Sequence, residues 1–283
     1  MGTINSLIIH QEFIYDRCIL LPEAPTMSIT LNITTIALTI FFTSSSLATT
    51  IQPSNPKEKM DGENKSIALY GNSYTHYNNH LNTRLRDLAR SLLPNNAQGY
   101  SYRGITISSA QLSWHEPNLK YQQTLQPWDV VVFQGNSMEP ISTDIKVKSD
   151  FQTAAKRMAN FAHANGSKVL YFMTWAQKDK PEQTAKLANA YYDIAKETGG
   201  FVAPVGLAFE QISKQYPELN LYHSDGKHPS LEGTYLAAAV FFSILYNQSP
   251  IGGALPIDSN MSPETAIKLQ TVAWETVQNF QSE

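Results

Sequence analysis

Two short segments hold residue types suited to acyl transfer. Ser73 stands in Gly71-Asn72-Ser73-Tyr74-Thr75, directly after the apolar run 66–70. A glycine at a strand-to-helix turn permits a tight bend that exposes the following hydroxyl. A serine at a helix start also faces free N–H groups and the helix dipole, which favour a developing anion. The hydroxyl becomes a nucleophile only when a neighbouring base takes its proton. Asp225-Gly226-Lys227-His228 offers that base. A carboxylate three residues before an imidazole can accept from Nδ1–H within a turn, which leaves Nε2 free to act. Pro229 keeps His228 out of the α region, on a defined loop. Both segments also have plainer readings: a serine before a helix as an N-cap, and a surface DGKH turn capped by Ser230.

Further residues could complete such a site. In Gln134-Gly135-Asn136-Ser137 the Asn136 amide is a candidate donor to an oxyanion, or an ordinary polar turn residue. In Ser108-Ser109-Ala110 the small side chains would let a backbone N–H approach the same point. Trp114, His115 and Trp175 are candidate substrate-binding residues; a loop role for His115 and a core role for Trp175 are the alternatives. His76 and His80 have metal-ligand spacing but no acidic partner in the same turn, and read as polar helix-face residues. A metal set of His223, Asp225 and His228 would leave Ser73 without a purpose.

The elements that must position these groups alternate. Short β-rich runs occur at 66–70, 101–108, 128–134, 168–175 and 201–206. The unbroken apolar stretch 130–133 suits a strand covered on both faces. Between them, Leu81, Leu85, Leu88, Leu92 and Leu93 mark one buried face of a helix over 75–93. Further helices are expected over 147–164, 181–200, 207–216, 231–246 and 263–281. The helix over 147–164 stops at Asn165-Gly166, and the one over 181–200 has Pro near its first turn and Gly at its end. Strands alternating with such helices mean βαβ units and a parallel sheet wrapped on both faces, with ligands at the carboxyl ends of the strands.

In order and position these four blocks resemble those of the SGNH (GDSL-type) hydrolases. The resemblance covers about 65–248, and its specific part is the pairing of GNSYT with DGKHPSLEGTYLAAAVFF. A bacterial branch of that superfamily also carries a Thr-Trp pair after the fourth strand, as Thr174-Trp175 does here. The resemblance implies a three-layer α/β/α sandwich with a five-stranded parallel sheet, flavodoxin-like. It also implies a serine esterase with Ser73 as nucleophile, His228 as base and Asp225 as its partner. Ser73 N–H, Ser109 N–H and Asn136 would form the oxyanion hole, with no metal and no cofactor. Departures stand out in three blocks: Asn72 replaces an aspartate, Ser109 a glycine, and Gln134 a glycine. Ser137 also replaces an aspartate at the end of the third block.

The 283 residues carry 21 Lys+Arg and 24 Asp+Glu, a net charge of −3, so no charge asymmetry suggests nucleic acid as a partner. The single cysteine, Cys18, excludes disulfide frameworks and Cys-based zinc or iron–sulfur sites. Residues 1–48 read as a leader with a signal peptide. The apolar run 29–42 is too short for a stable membrane span, and Ser46-Leu47-Ala48 is a small-x-small cleavage pattern. The positive n-region is missing, so translation from Met27, an uncleaved anchor and a disordered leader stand as alternatives. Residues 49–64 read as a linker and 65–283 as the hydrolase domain. The expected location is secreted or periplasmic, and the expected partner a small-molecule or carbohydrate ester. The alternative function is an exported binding or structural protein on the same scaffold with little turnover.

Overall fold

In the computed structural model, residues 55–257 and 259–282 are described. Five strands form one sheet: β1 (Ser66–Gly71), β2 (Ser101–Thr106), β3 (Val130–Phe133), β4 (Lys168–Phe172) and β5 (Phe201–Ala203). Every pairing is parallel and the spatial order is β2-β1-β3-β4-β5. The chain therefore reverses its direction of winding between β1 and β3. The crevice outside the carboxyl ends of those two strands is where such sheets bind ligands.

Successive strand residues point to opposite faces, and the two cores follow that period of two. Ile67, Leu69, Val130, Val132, Leu170 and Phe172 face one hydrophobic cluster, and Ala68, Tyr70, Val131, Phe133, Val169 and Tyr171 the other. The first cluster is completed by α2 (Leu81–Leu92), α6 (Val205–Gln215), α7 (Leu231–Tyr246) and α8 (Pro263–Ser282). The second is completed by α3 (Glu116–Leu125), α4 (Ile145–Ala164) and α5 (Gln183–Thr198). The result is a three-layer α/β/α sandwich. In α7, residues 233–245 are all buried, between α2, α6 and α8, which explains why its sequence is apolar on every side.

The structure departs from the sequence expectations in four places. The helix expected over 75–93 is two: a single turn, α1 (Ser73–His76), and then α2. Asn78, Asn79 and His80 lie between them with φ of 55°, 63° and 66°. Asn and His are among the residue types that tolerate this left-handed region. The leucines that mark the helix face, from Leu81 on, all lie beyond the break, so their spacing carries no sign of it. Secondly, α3 is not legible in the sequence because Leu119 is its one buried residue, too little for a periodic pattern. Thirdly, strands expected to reach 108, 175 and 206 end at 106, 172 and 203, leaving longer loops at the carboxyl ends. Finally, the last part of the expected linker, 55–64, packs on the domain. Met60 is buried and the Asn64 amide donates to Leu245 O at 2.7 Å. The leader, the cleavage pattern at 46–48 and Met27 lie outside the described residues. Among the described residues no helix is long and apolar enough to cross a membrane.

Candidate active site

β1 ends at Gly71, and nothing larger fits there. A Cβ at this position would lie 2.4 Å from Thr75 Oγ1 and 2.5 Å from Gln134 Oε1. The chain then turns through Asn72. Its side-chain oxygen accepts from Tyr74 N–H at 3.1 Å, and its carbonyl accepts from the Thr75 and His76 N–H groups, each at 3.0 Å. This capping leaves Ser73 at the first position of α1, half-buried, with its N–H outside the capping bonds. Because α1 is only four residues long, the dipole assistance expected of a long helix here is reduced to that of one turn.

The second segment arrives from between α6 and α7. Gly226 takes φ = 68°, a left-handed bend that folds Asp225 back towards His228. Asp225 Oδ1 accepts from the Lys227 and His228 N–H groups, each at 2.9 Å, and Oδ2 lies 2.5 Å from His228 Nδ1. Since a carboxylate can only accept, Nδ1 carries the proton and Nε2 is the acceptor. His228 Nε2 is 2.9 Å from Ser73 Oγ. Burial alone would raise the Asp225 carboxyl. The bonds from the His228 side chain and the two N–H groups outweigh it and hold the carboxyl well below the usual carboxylate range. Both Asp225 oxygens are thus engaged by protein donors. Among the described residues no group of three or more His, Cys, Asp or Glu side chains is arranged to hold a metal ion.

The imidazole is held from several sides. The Tyr77 ring stacks on it at 4.3 Å between centroids, tilted by 11°, and Tyr74 meets it edge-on at 5.5 Å. Asn78, in the left-handed stretch after α1, donates from Nδ2 to Pro229 O (3.0 Å), Ser230 O (2.8 Å) and Thr234 Oγ1 (2.7 Å). Its own carbonyl accepts from the buried Arg84 guanidinium at 2.8 and 3.1 Å. Sequence reading did not single out Asn78. The Asn-Asn pair was the available signal, since consecutive asparagines favour turns over helix interiors.

The departures at Asn72 and Gln134 form a matched pair. Gln134 Nε2 donates to Asn72 Oδ1 at 2.7 Å, and Gln134 Oε1 accepts from Asn72 N–H at 3.2 Å and from Thr75 Oγ1 at 2.7 Å. Asn72 Nδ2 in turn donates to Ala110 O and Gly135 O. The loops after β1, β2 and β3 are knitted together by these two amides. Ser109, where a glycine was expected, adopts φ = 56°, the left-handed conformation that glycine takes without strain. The Asn136 amide donates to Ser109 O at 3.1 Å, so these two oxyanion candidates are in direct contact.

The candidate substrate-binding residues divide. Trp114 is 53% exposed. His115 is fully buried, with Nε2 2.9 Å from Gly71 O, and burial pushes its imidazole down from the usual value. It supports the end of β1 and offers no surface to a substrate. Trp175, 1% exposed, lies between the Tyr74 and Phe209 rings at 4.5 and 4.2 Å, nearly parallel to both, and its Nε1–H donates to Lys227 O at 2.9 Å. It braces the Asp225–His228 loop from behind instead of walling a pocket. His76 and His80 sit edge to face at 4.2 Å. His223 meets the Tyr77 ring.

The three-layer sandwich around a doubly wound sheet in this order is the fold of SGNH hydrolase structures, and the chain shares that fold. No family profile and no curated protein matches the sequence. Among solved structures, a DUF4886 family protein from Bacteroides uniformis aligns over 75% of this chain and 94% of its own, at 14% identity and a TM-score of 0.58. A candidate SGNH hydrolase from Slackia heliotrinireducens aligns over 63% and 97%, at 23% identity and a TM-score of 0.52. A catalytic mutant of Axe2, an acetylxylan esterase from Geobacillus stearothermophilus, aligns over 66% and 96%, at 13% identity and a TM-score of 0.54. Further catalytic mutants of Axe2 also match, so that a histidine, an aspartate and a serine are each replaced by alanine in one of the three. At these identities the likeness is one of fold.

Proposed function

We propose that the protein is a metal-independent serine esterase acting on acyl esters, with Ser73, His228 and Asp225 as its catalytic residues. The observation that carries this reading is the unbroken series from Ser73 Oγ to His228 Nε2 at 2.9 Å and from His228 Nδ1 to Asp225 Oδ2 at 2.5 Å. The same three residue types are replaced in the catalytic mutants of Axe2. Ser73 Oγ attacks the ester carbonyl as Nε2 takes its proton, and the imidazolium formed is stabilised by Asp225, which stays ionised. The tetrahedral oxyanion is held by Ser73 N–H, Ser109 N–H and the Asn136 amide. His228 then protonates the leaving alcohol, an acyl-Ser73 ester remains, and water attacks it with Nε2 again as base.

An acylated carbohydrate is the substrate class we favour. The exposed Trp114 ring, in the segment that continues the Ser109 loop, offers a stacking face for a sugar. Export by way of residues 29–48 belongs to the same proposal, and intact mass of the mature protein tests it.

Labelling by a fluorophosphonate probe tests the chemistry. Stoichiometric modification mapped to Ser73, lost in Ser73→Ala and His228→Ala, is the expected result. Correctly folded protein that takes up no label would refute the reading and favour a binding scaffold without turnover.

A further inference from the structure

Glu139 is a buried carboxyl group to which the acyl-transfer steps assign no part. It is 1% exposed, in a short 3-10 turn, Glu139–Ile141, after β3. One oxygen, Oε2, accepts two backbone N–H bonds: from Asn136 at 2.8 Å and from Leu112 at 3.1 Å. These donors belong to different loops. Asn136 follows β3, and Leu112 follows β2 three residues after Ser109. The first contact is reciprocal, since Glu139 N–H donates to Asn136 O at 2.9 Å. Asn136 is therefore gripped at both its backbone N–H and its carbonyl by one residue. Its side-chain amide is left to reach Ser109 O at 3.1 Å.

A carboxyl group in this place is costly unless it has a structural task. Burial pushes Glu139 up from the usual carboxylate range, against the pull of the two N–H groups, and Oε1 makes no hydrogen bond among the described residues. A simple turn would be closed as well by a small polar side chain. A side chain of glutamate length is needed to reach Leu112 on the neighbouring loop.

We infer that Glu139 is a positioning residue for the oxyanion hole, fixing the Asn136 loop against the Ser109 loop through the Asn136 and Leu112 N–H groups. The inference rests on the esterase reading above and deepens it. Two donors carried by separate loops stabilise an oxyanion only if their spacing is fixed before charge develops. Glu139 sets that spacing without touching the substrate. Its loss should therefore act on kcat, with KM little changed.

The test is steady-state hydrolysis of p-nitrophenyl acetate by the wild type, Glu139→Leu, Glu139→Gln, Asn136→Ala and the double variant Asn136→Ala/Glu139→Leu. Ser73→Ala serves as the reference for catalysed turnover. Glu139→Leu should lower kcat by about 10²-fold, the scale of one lost oxyanion donor, with KM within about twofold. The double variant should be no more than about twofold worse than Asn136→Ala alone, because without the Asn136 amide there is no donor pair whose spacing Glu139 can set. Glu139→Gln keeps an acceptor oxygen and should recover kcat to within about tenfold of the wild type. Losses that multiply in the double variant, or an unchanged kcat in Glu139→Leu, would overturn the inference. If Glu139→Leu does not fold, Glu139→Gln paired with Asn136→Ala decides in the same way: a Gln loss that vanishes in the Asn136→Ala background supports it, and one that persists overturns it. Turnover by Ser73→Ala equal to the wild type would instead remove the esterase reading itself, a result distinguishable from additive losses over a dead Ser73→Ala.

Discussion

At the scale of single residues, the site is defined by which atoms can donate and which can only accept. The Asp225 carboxylate can only accept, so the His228 tautomer follows, and with it the direction of the proton from Ser73. Gly71 carbonyl likewise makes His115 Nε2 a donor, while burial pushes that imidazole down from its usual value. At Ser109, within the site, backbone and side chain disagree, as φ = 56° costs an L-residue roughly 1–2 kcal/mol. Ser109→Gly relieves that strain but gives the unfolded chain about 0.4–1 kcal/mol of extra freedom. The net expected is a stabilisation of about 0.5–1 kcal/mol, read from the urea midpoint at constant m-value. A variant less stable than the wild type would mean that the Ser109 side chain contributes directly. The left-handed backbone also explains why a small residue stands here: a β-branched one would be strained further.

At the scale of elements, what matters is how loops from different strands are tied. The Asn72–Gln134 amide pair joins three strand ends, Trp175 joins the loop after β4 to the Asp225–His228 loop, and Asn78 joins the break between α1 and α2 to the start of α7. The break has a purpose in this arrangement. A continuous helix through 78–80 would carry the Asn78 side chain away from Pro229 and Ser230. Asn78→Gly keeps the left-handed backbone and removes only the three donated bonds. It should lower stability by about 1–3 kcal/mol, since it leaves the carbonyl of buried Pro229 without its donor, while Ser230 O keeps the Thr234 N–H. It should also slow fluorophosphonate labelling of Ser73 by about tenfold as His228 loses its anchor. Labelling at the wild-type rate would show that the Tyr77 and Trp175 contacts suffice to hold the imidazole.

At the scale of the whole molecule, the described chain buries two hydrophobic layers against one sheet, and the entering segment is part of that burial. Met60 lies in the larger core, and Asn64 bonds both Leu245 O and Lys168 Nζ, the latter at 3.0 Å. A chain that starts at residue 65 should therefore melt below one that starts at residue 55, because it loses a buried methionine and a buried amide. Burying a methionine contributes about 1.5–3 kcal/mol and a hydrogen bond about 1 kcal/mol. At roughly 2–4 °C per kcal/mol for a domain of this size, the midpoint should fall by roughly 5–15 °C. Equal midpoints for the two chains would assign 55–64 no part in the domain.

The alternation of strands and helices, the parallel sheet and the four loops that carry Ser73, Ser109, Asn136 and Asp225–His228 were legible in the sequence. Those features rest on local patterns: apolar period, glycine turns, and a carboxylate three residues from an imidazole. The shape of α7 was legible for the same reason, an apolar run with a serine cap. Contacts between distant segments were not. The Asn78 anchor spans about 150 residues, and Glu139 reaches a loop 27 positions earlier. Trp175 was a cleft candidate because an aromatic at a strand end can face either way, and His115 because it stands beside Trp114. Only the tertiary packing decided that both point inward: Trp175 is filled in on each side by Tyr74 and Phe209, and His115 is drawn under the sheet by Gly71 O. Residue types and short spacings determine what chemistry is available; long-range packing determines which groups are left facing the substrate.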